Sequence, residues 1–454
     1  MSNATIAKRP NTNSAGQKLL RSMGMPVLAT LTAFLVGAVV ILITSGDIMA
    51  VPNAYWGMIR GAFIKERGLS ESFVATVPYI FLSLGLAVGF KSGLFNIGVE
   101  GQFYMGAISA AWAGQITHDL PAIIHLPFAL LAGMLGGAIW AAIPGYLKVR
   151  TGAHEVISTM MMNYIAFRLT EYLIMIPLRD HNATAIETPR VSTEAELWTF
   201  AAIPERLKVP WNAFAVALLF AILAMVLARW WIPRSSLSQR LQTAWQRRAA
   251  FIGFGLAIGL LSFIALPPLT RLWWPFSDQY DRLHIGLILA VLAAVAIWWL
   301  LWKTTLGFEL RMGGANPNAA RYAGVHINRN VVLAMAISGG MAGLAGTAEV
   351  LGVSICRCLP LFFSSGYGFD SIAISLLAKN NPFGILAASF LFGSMRNGAD
   401  LMELNSGVSK YIISLIQALA LLFVAAPAIV RWMYRIRGER RVEDETPLTR
   451  GWGG

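Results

Sequence analysis

The chain alternates long apolar runs with short polar intervals, and the runs are close to the roughly 20 residues a helix needs to cross a bilayer. In order they predict spans at Pro26 to Ser45, Phe73 to Phe90, about Leu94 to Ile116, Ile123 to Leu147 and Val156 to Pro177. Trp211 to Ile232, Ala249 to Leu266, His284 to Trp302 and Val331 to Val353 follow. Val51 to Ser72 predicts an outer loop with a surface helix, whose Arg60, Lys65 and Arg67 run against the charge bias of its neighbours. Beyond Val353 the pattern weakens. Leu361 to Ala378 is short and polar, Lys379-Asn380-Asn381-Pro382 predicts an inside turn, Phe383 to Met395 is short again, and Tyr411 to Val430 is a full run. Three crossings after the ninth give an all-α, polytopic membrane helical bundle of about 12 spans, although one crossing with re-entrant segments satisfies the same parity.

Charge orients this pattern. Arg234, Arg240, Arg247 and Arg248 share a loop without an acid, Lys148 and Arg150 end the fourth span, and Arg431, Arg435, Arg437, Arg440 and Arg441 crowd the C-terminal tail. By the positive-inside bias these segments are cytoplasmic, as is the N-terminal tail with Lys8, Arg9, Lys18 and Arg21, which shows no signal-cleavage site. Arg179 to Pro210 carries Asp180, Glu187, Glu194, Glu196 and Glu205 and is predicted to be outside. At 56% hydrophobic and 13% charged residues, the chain is too apolar for a large soluble enzyme. Its net charge of +13 resides in short loops between spans, which argues for membrane orientation and against nucleic acid. No stretch matches GxxxxGK[ST], so the chain does not bind ATP in that manner. Cys356 and Cys358 are separated by one residue, which predicts free thiols rather than an unstrained bridge. The six histidines lack paired spacing, so no metal site is predicted.

The interval from Lys303 to Asn330 contains a short helix with both ends marked. Asn316 suits the N-cap, Pro317 the first helical position, and Gly324 a left-handed residue just past the end. Such a helix is about two turns long and marginal alone, so it needs something to dock against. Lys303, Arg311, Arg321 and Arg329 against the single acid Glu309 place it inside. It is an ordinary interspan loop or a docking helix for a cytoplasmic partner.

Several polar residues fall within the apolar runs. Gly93, Gly98 and Gly101 permit a helix break, while Asn96, Glu100 and Gln102 are too polar to face lipid. Irregular backbone at membrane depth survives only against protein or a watery cavity, so Lys91 to Gln102 is a candidate path lining. Asn96 and Glu100, at i and i+4, are predicted to share a face and bond substrate hydroxyls, with Phe95, Phe103 or Tyr104 stacking on a ring; equally, both residues hold neighbouring backbone. Asn163 lines the path or ties helices together. Arg168 and Glu171 are predicted to pair with each other, and Met160 to Met162 to fill packing space. Tyr367 and Asp370, in Gly366-Tyr367-Gly368-Phe369-Asp370-Ser371, form a gate or a plain outer turn. Glu349 is predicted at the outer end of the ninth span, and Gly343 and Gly346 predict tight helix packing.

Three motifs in this order carry a family resemblance. They are Gly93-Leu94-Phe95-Asn96-Ile97-Gly98-Val99-Glu100-Gly101-Gln102, His154-Glu155-Val156-Ile157-Ser158-Thr159 with Asn163-Tyr164-Ile165-Ala166, and Thr305-Leu306-Gly307-Phe308-Glu309-Leu310-Arg311 with Asn316-Pro317 and Ala319-Ala320-Arg321-Tyr322-Ala323-Gly324. The chain resembles bacterial ABC-importer permeases of the branched-chain amino acid and ribose type, within them the subgroup for nucleosides and simple sugars. The resemblance covers about Ser72 to Pro177 and His284 to Val430. It implies that Gly307, Glu309, Arg311, Asn316, Pro317, Ala319, Ala320, Arg321, Tyr322 and Gly324 belong to a coupling helix and its lead-in, seated on an ABC ATPase subunit. It also implies a second, usually paralogous, permease, an extracytoplasmic binding lipoprotein, and ATP with Mg used only through the ATPase. The expected organisation is a cytoplasmic tail 1–25, a first transmembrane half 26–210 with its outer loop, an inserted pair 211–268 that departs from the subgroup, a second half 284–430 with the coupling helix 316–324, and a cytoplasmic tail 431–454. The rival expectation from the residues alone is an ion-coupled secondary transporter using Glu100 or Asp370 as its carrier.

Overall fold

The computed structural model describes residues 15–116, 120–201, 211–231, 244–265, 280–364, 366–426, 429–430 and 433–434. The first 14 residues, Arg234 and Arg240 of the predicted arginine loop, Glu205, and residues 435–454 of the C-terminal tail lie outside the described residues, whereas that loop's Arg247 and Arg248 fall in the helix Ala244–Ala265, which starts five residues before the predicted span. The described chain is helical throughout, with two isolated β-bridges. It divides into a larger unit, up to Leu197 and from Gly286 onward, and a smaller one, Trp198–Ile285.

In the larger unit, α1 (Ala15–Ser45), α2 (Ala50–Ile59), α3 (Gly68–Lys91), α4 (Val99–Ile116), α5 (Ala122–Thr151) and α6 (Glu155–Met175) come first. In the smaller unit α7 (Trp211–Trp231) packs on α8 (Ala244–Ala265) through small residues, with Gly259 against Ala217 and Ala221. The larger unit resumes with α9 (Gly286–Lys303), α10 (Thr305–Ala315), α11 (Pro317–Tyr322), α12 (Ile327–Ala348), α13 (Tyr367–Leu377), α14 (Pro382–Ser406) and α15 (Tyr411–Ala425).

Among the described residues, five helices are long and apolar enough to cross a membrane: Pro26–Ser45, Gly68–Lys91, Ala122–Thr151, Gly286–Lys303 and Ile327–Val353. Gly68–Lys91 is 83% buried and Ile327–Val353 67%, against 28% for each of the other three, so α3 and α12 are the interior pair. Lipid supplies no hydrophobic drive for helices to associate, so their contacts depend on small residues that let backbones approach. Gly343 of α12 lies directly against Gly106 of α4 and Gly133 of α5, and Gly346 against the backbone of Phe103 and Ala107. The tight packing predicted for Gly343 and Gly346 is present.

Elsewhere the apolar pattern misplaces boundaries. The third helix starts at Val99 rather than Leu94, because Leu94 N–H bonds back to Gly89 C=O and leaves 92–98 irregular. As a result Asn96 precedes the helix that carries Glu100, and the two do not share a helical face. The predicted surface helix has an inner side instead: Ala50, Ala54, Gly57 and Met58 of α2 are buried, packed on α14. Phe383 to Met395 is only the first part of a 25-residue helix. That helix opens on Asn381, whose side chain accepts from Phe383 N–H and Gly384 N–H at 3.0 and 3.3 Å, and it continues through polar Arg396 and Asn397 because both find partners on α3. By contrast, α13 has 11 residues, about 16 Å at 1.5 Å per residue, too short to cross. Met160 and Met161 lie on an exposed face of α6 rather than filling the interior.

Cys356 and Cys358 form a disulfide, contrary to the free thiols expected. The left-handed conformation of Arg357, φ 52°, folds the chain so that the two Cα atoms lie 5.1 Å apart, within bridging range. This loop pairs with the segment after α6 through Thr188 N–H to Leu359 C=O and Val191 N–H to Arg357 C=O, at 3.1 and 2.9 Å.

Candidate functional site

Two sites emerge in the larger unit, a cavity beside the start of α4 and the helix α11. The break before α4 is built by side chains. Asn96 and Gln102 exchange amide hydrogen bonds at 2.9 and 3.0 Å, Asn96 also donates to Ser338 Oγ of α12 at 3.0 Å, and its Oδ1 accepts from Gly98 N–H at 3.1 Å. Asn163 of α6 accepts from Gly101 N–H at 2.8 Å and donates to Ile97 C=O at 2.9 Å. Asn96, Gln102 and Asn163 are all buried, with their amides bonded to protein. They hold the break open, because irregular backbone away from water needs every N–H and C=O partnered. Phe95 packs on Phe90.

In the first turn of α4 the arrangement changes. The buried carboxylate of Glu100 accepts from Gly368 N–H, in the first turn of α13, and from the Ser364 hydroxyl. The positive end of α13 is thus met by a negative charge from α4. Glu100 and Ser364 line a cavity of about 370 Å3, the scale of a small-molecule site. Its walls are aromatic, with Tyr104 against Phe363 at 4.5 Å and against Phe167 at 4.8 Å, and Phe362 and Phe369 completing them. Arg168 and Glu171 also line it and pair at 2.7 Å, as the sequence predicted. Aromatic faces with the Glu100 and Glu171 carboxylates are chemistry that can hold a small polar ring by stacking and hydrogen bonding.

Tyr367 and Asp370 lie behind this cavity, in a cluster the sequence did not reveal. Tyr79 of α3 donates to Asp370 Oδ2 at 2.9 Å, Arg396 of α14 donates to Tyr79 Oη at 2.9 Å, and the Arg396 guanidinium lies 3.9 Å from the Tyr367 ring centroid. The signal was an arginine ending an apolar run, which reads as the boundary of a span but lies in the middle of a helix.

The second site follows its sequence closely. Asn316 Oδ1 accepts from Ala319 N–H at 3.1 Å, Pro317 opens α11, Ala320 is its buried residue, and Gly324 is left-handed with φ 82°. Ala319, Arg321 and Tyr322 are exposed, Tyr322 at 95%. Glu309 accepts from Arg329 and Asn330, both at 3.1 Å, which ties α10 to the start of α12. Arg311 lies over Trp302, and Gly307 lets α10 pass directly over the Leu300 carbonyl. The end of α10 reaches the break before α4: Gly314 abuts the backbone of Lys91 to Gly93, where Gly93 itself is left-handed at φ 71°.

Residues 68–243 and 236–426 match the family described as branched-chain amino acid transport system, permease component. The chain belongs to this family. It is 33% identical over 419 residues to the guanosine ABC transporter permease protein NupP of Bacillus subtilis, covering 92% of this chain and 97% of that one. It is 29% identical to the glucose ABC transporter permease protein TsgB13 of Haloferax volcanii, over 93% of this chain and 92% of the relative. The nucleoside ABC transporter permease protein NupB of Lactococcus lactis is 28% identical, over 91% and 93%. No solved structure matches the chain. The protein is therefore a multi-pass membrane permease subunit of the ABC-importer type, a class that works with an ATPase subunit and a binding protein and has no ATPase activity of its own. Membership displaces the ion-coupled carrier, and the carboxylates of Glu100 and Asp370 are engaged by protein donors.

Proposed function

We propose that this permease imports nucleosides, with related ribosides and simple sugars as the wider class, through the cavity at Glu100. The observation that supports it is an aromatic-walled cavity holding one buried carboxylate, in a chain similar over nine-tenths of its length to permeases named for guanosine and nucleosides. Aromatic walls stack on a base and Glu100 accepts from its N–H groups or from ribose hydroxyls. Asn96, Gln102 and Asn163 shape the path without lining it, and Tyr367 and Asp370 support it from behind.

In this reading the chain crosses a bacterial cytoplasmic membrane about 12 times with both termini inside, the tenth pass being made by the cavity-wall segment 361–364 and the short α13 together, and the last two by α14 and α15. A second permease, a paralogue, supplies the other half of the path, and a lipoprotein outside delivers the solute. Helix α11 faces the cytoplasm and docks on the ATPase, which alone handles ATP and Mg. The stroke enters through Gly314 pressed against Gly93, the backbone contact that joins α10 to the break before Glu100. Residues 211–268 are an accessory pair; every described residue lining the cavity lies in the larger unit.

The test is uptake of labelled guanosine and glucose by cells expressing the permease with its partner permease, ATPase and binding protein. Guanosine uptake is expected to depend on ATP and to survive a proton uncoupler while ATP is held constant. Tyr322→Asp, or deletion of 316–324, is expected to abolish uptake with the permease still in the membrane. Absence of nucleoside uptake by the intact complex overturns the substrate assignment, and normal uptake by the deletion variant overturns the role of α11.

A further inference from the structure

An arginine in the middle of a long helix of a membrane permease is expensive, and such a residue persists where it has a partner and a task. Arg396 has three partners on two other elements. It donates to the Tyr79 hydroxyl on α3 at 2.9 Å, lies 3.9 Å from Asp370 on α13, and stacks over the Tyr367 ring on α13 at 3.9 Å. Tyr79 closes the triangle by donating to the same Asp370 oxygen at 2.9 Å. The frame carrying these groups is fixed separately. Asn397, next to Arg396, donates to Gly68 C=O at 2.8 Å and Ser72 Oγ at 3.0 Å on α3, and Gly393 lies directly on the backbone of Thr76.

Helix α13 packs on α3 and α15 along its length, with Ser83 Oγ donating to Ser371 C=O at 3.3 Å, but its first turn depends on side chains. It is too short to span, and residues 361–364 before it run along the cavity wall. Its first turn is held from two sides, by Glu100 at Gly368 N–H and by the Tyr79–Arg396 pair at Tyr367 and Asp370. Whatever shifts that turn also shifts the two donors that fix Glu100.

We infer that Arg396 is a positioning residue of the transport path: with Tyr79 it latches the first turn of α13, through Asp370 and Tyr367, to the rigid α3–α14 pair, and thereby sets the Glu100 end of the cavity. The inference rests on the reading of that cavity as the path. A residue retained only to neutralise Asp370 makes a different prediction, and double substitution separates the two. In D370N/R396M no charge is left unpaired, so the protein is expected to reach the membrane in normal amount, but the latch is gone. Y79F keeps both charges and removes the bridging hydroxyl.

The complete transporter, with its partner permease, ATPase and binding protein, is reconstituted in vesicles, and guanosine KM and Vmax are measured. In parallel Phe369→Cys, on the cavity wall, is introduced and its rate of reaction with a soluble maleimide recorded. D370N/R396M and Y79F are each expected to raise KM about tenfold with Vmax changed less than about threefold, the split expected when ground-state contacts are displaced. Each is also expected to change the labelling rate of F369C, and R396K to fall between them and the parent. Parental KM and labelling in D370N/R396M reduce Arg396 to a counter-charge and overturn the inference, and so do parental values in Y79F. The labelling readout is independent of which solute is carried, so a failed substrate assignment leaves it intact and identifiable.

Discussion

The two functional regions are held together in opposite ways. At α11 the stabilising contacts are local: cap, first proline and terminal glycine fall within nine residues, Asn316 to Gly324, and the helix projects an exposed tyrosine. At the cavity they are distant, with Ser364 and Gly368 meeting Glu100 across 264 and 268 residues of sequence and Arg396 meeting Tyr79 across 317. The projecting helix takes both of its end signals from its own sequence. The cavity wall, where no water satisfies a stray polar group, exists only when several elements bring its partners together.

Where α10, the lead-in to α11, meets the break before α4, substitution should do the most damage. Gly314→Val forces a branched side chain onto Lys91 to Gly93, and guanosine uptake is expected to fall at least about tenfold while ATP hydrolysis by the assembled transporter continues, the signature of a broken transmission. Equal loss of hydrolysis and uptake counts against a shared contact. Next comes the distant type. Asn163→Ala leaves Gly101 N–H and Ile97 C=O unpartnered, at about 1–3 kcal/mol for a buried group left without its bond. Thermal unfolding of the purified permease should shift down by a few degrees with guanosine KM unchanged. Asn163→Asp should recover only part, since a carboxylate accepts from Gly101 but cannot donate to Ile97. Smallest is the local type. Asn316→Ala removes one cap bond, about 1 kcal/mol, so uptake should fall a fewfold, and Asn316→Ser should restore it alone. If Asn316 cannot be rescued by another capping residue while Asn163 can, the contrast between the regions is wrong.

How much was legible follows the same division. The caps of α11, the Arg168–Glu171 pair and the close approach at Gly343 and Gly346 were readable because each depends on neighbours within one or two turns or on side-chain size alone. The disulfide was missed because spacing does not reveal that Arg357 turns left-handed. The start of α4 was misplaced because apolarity continues through 94–98 while the backbone does not, and the α14 boundary because Arg396 looks like an end until Tyr79 and Asp370 are placed beside it.

By itself, the sequence determined that this is a helical membrane permease subunit with a capped, exposed peg, since hydropathy runs, caps and motifs are properties of short stretches of chain. Only the tertiary structure decided which polar residues are wall and which are scaffold. At membrane depth a polar side chain must find a partner, and whether that partner is a solute or another helix depends on residues hundreds of positions away.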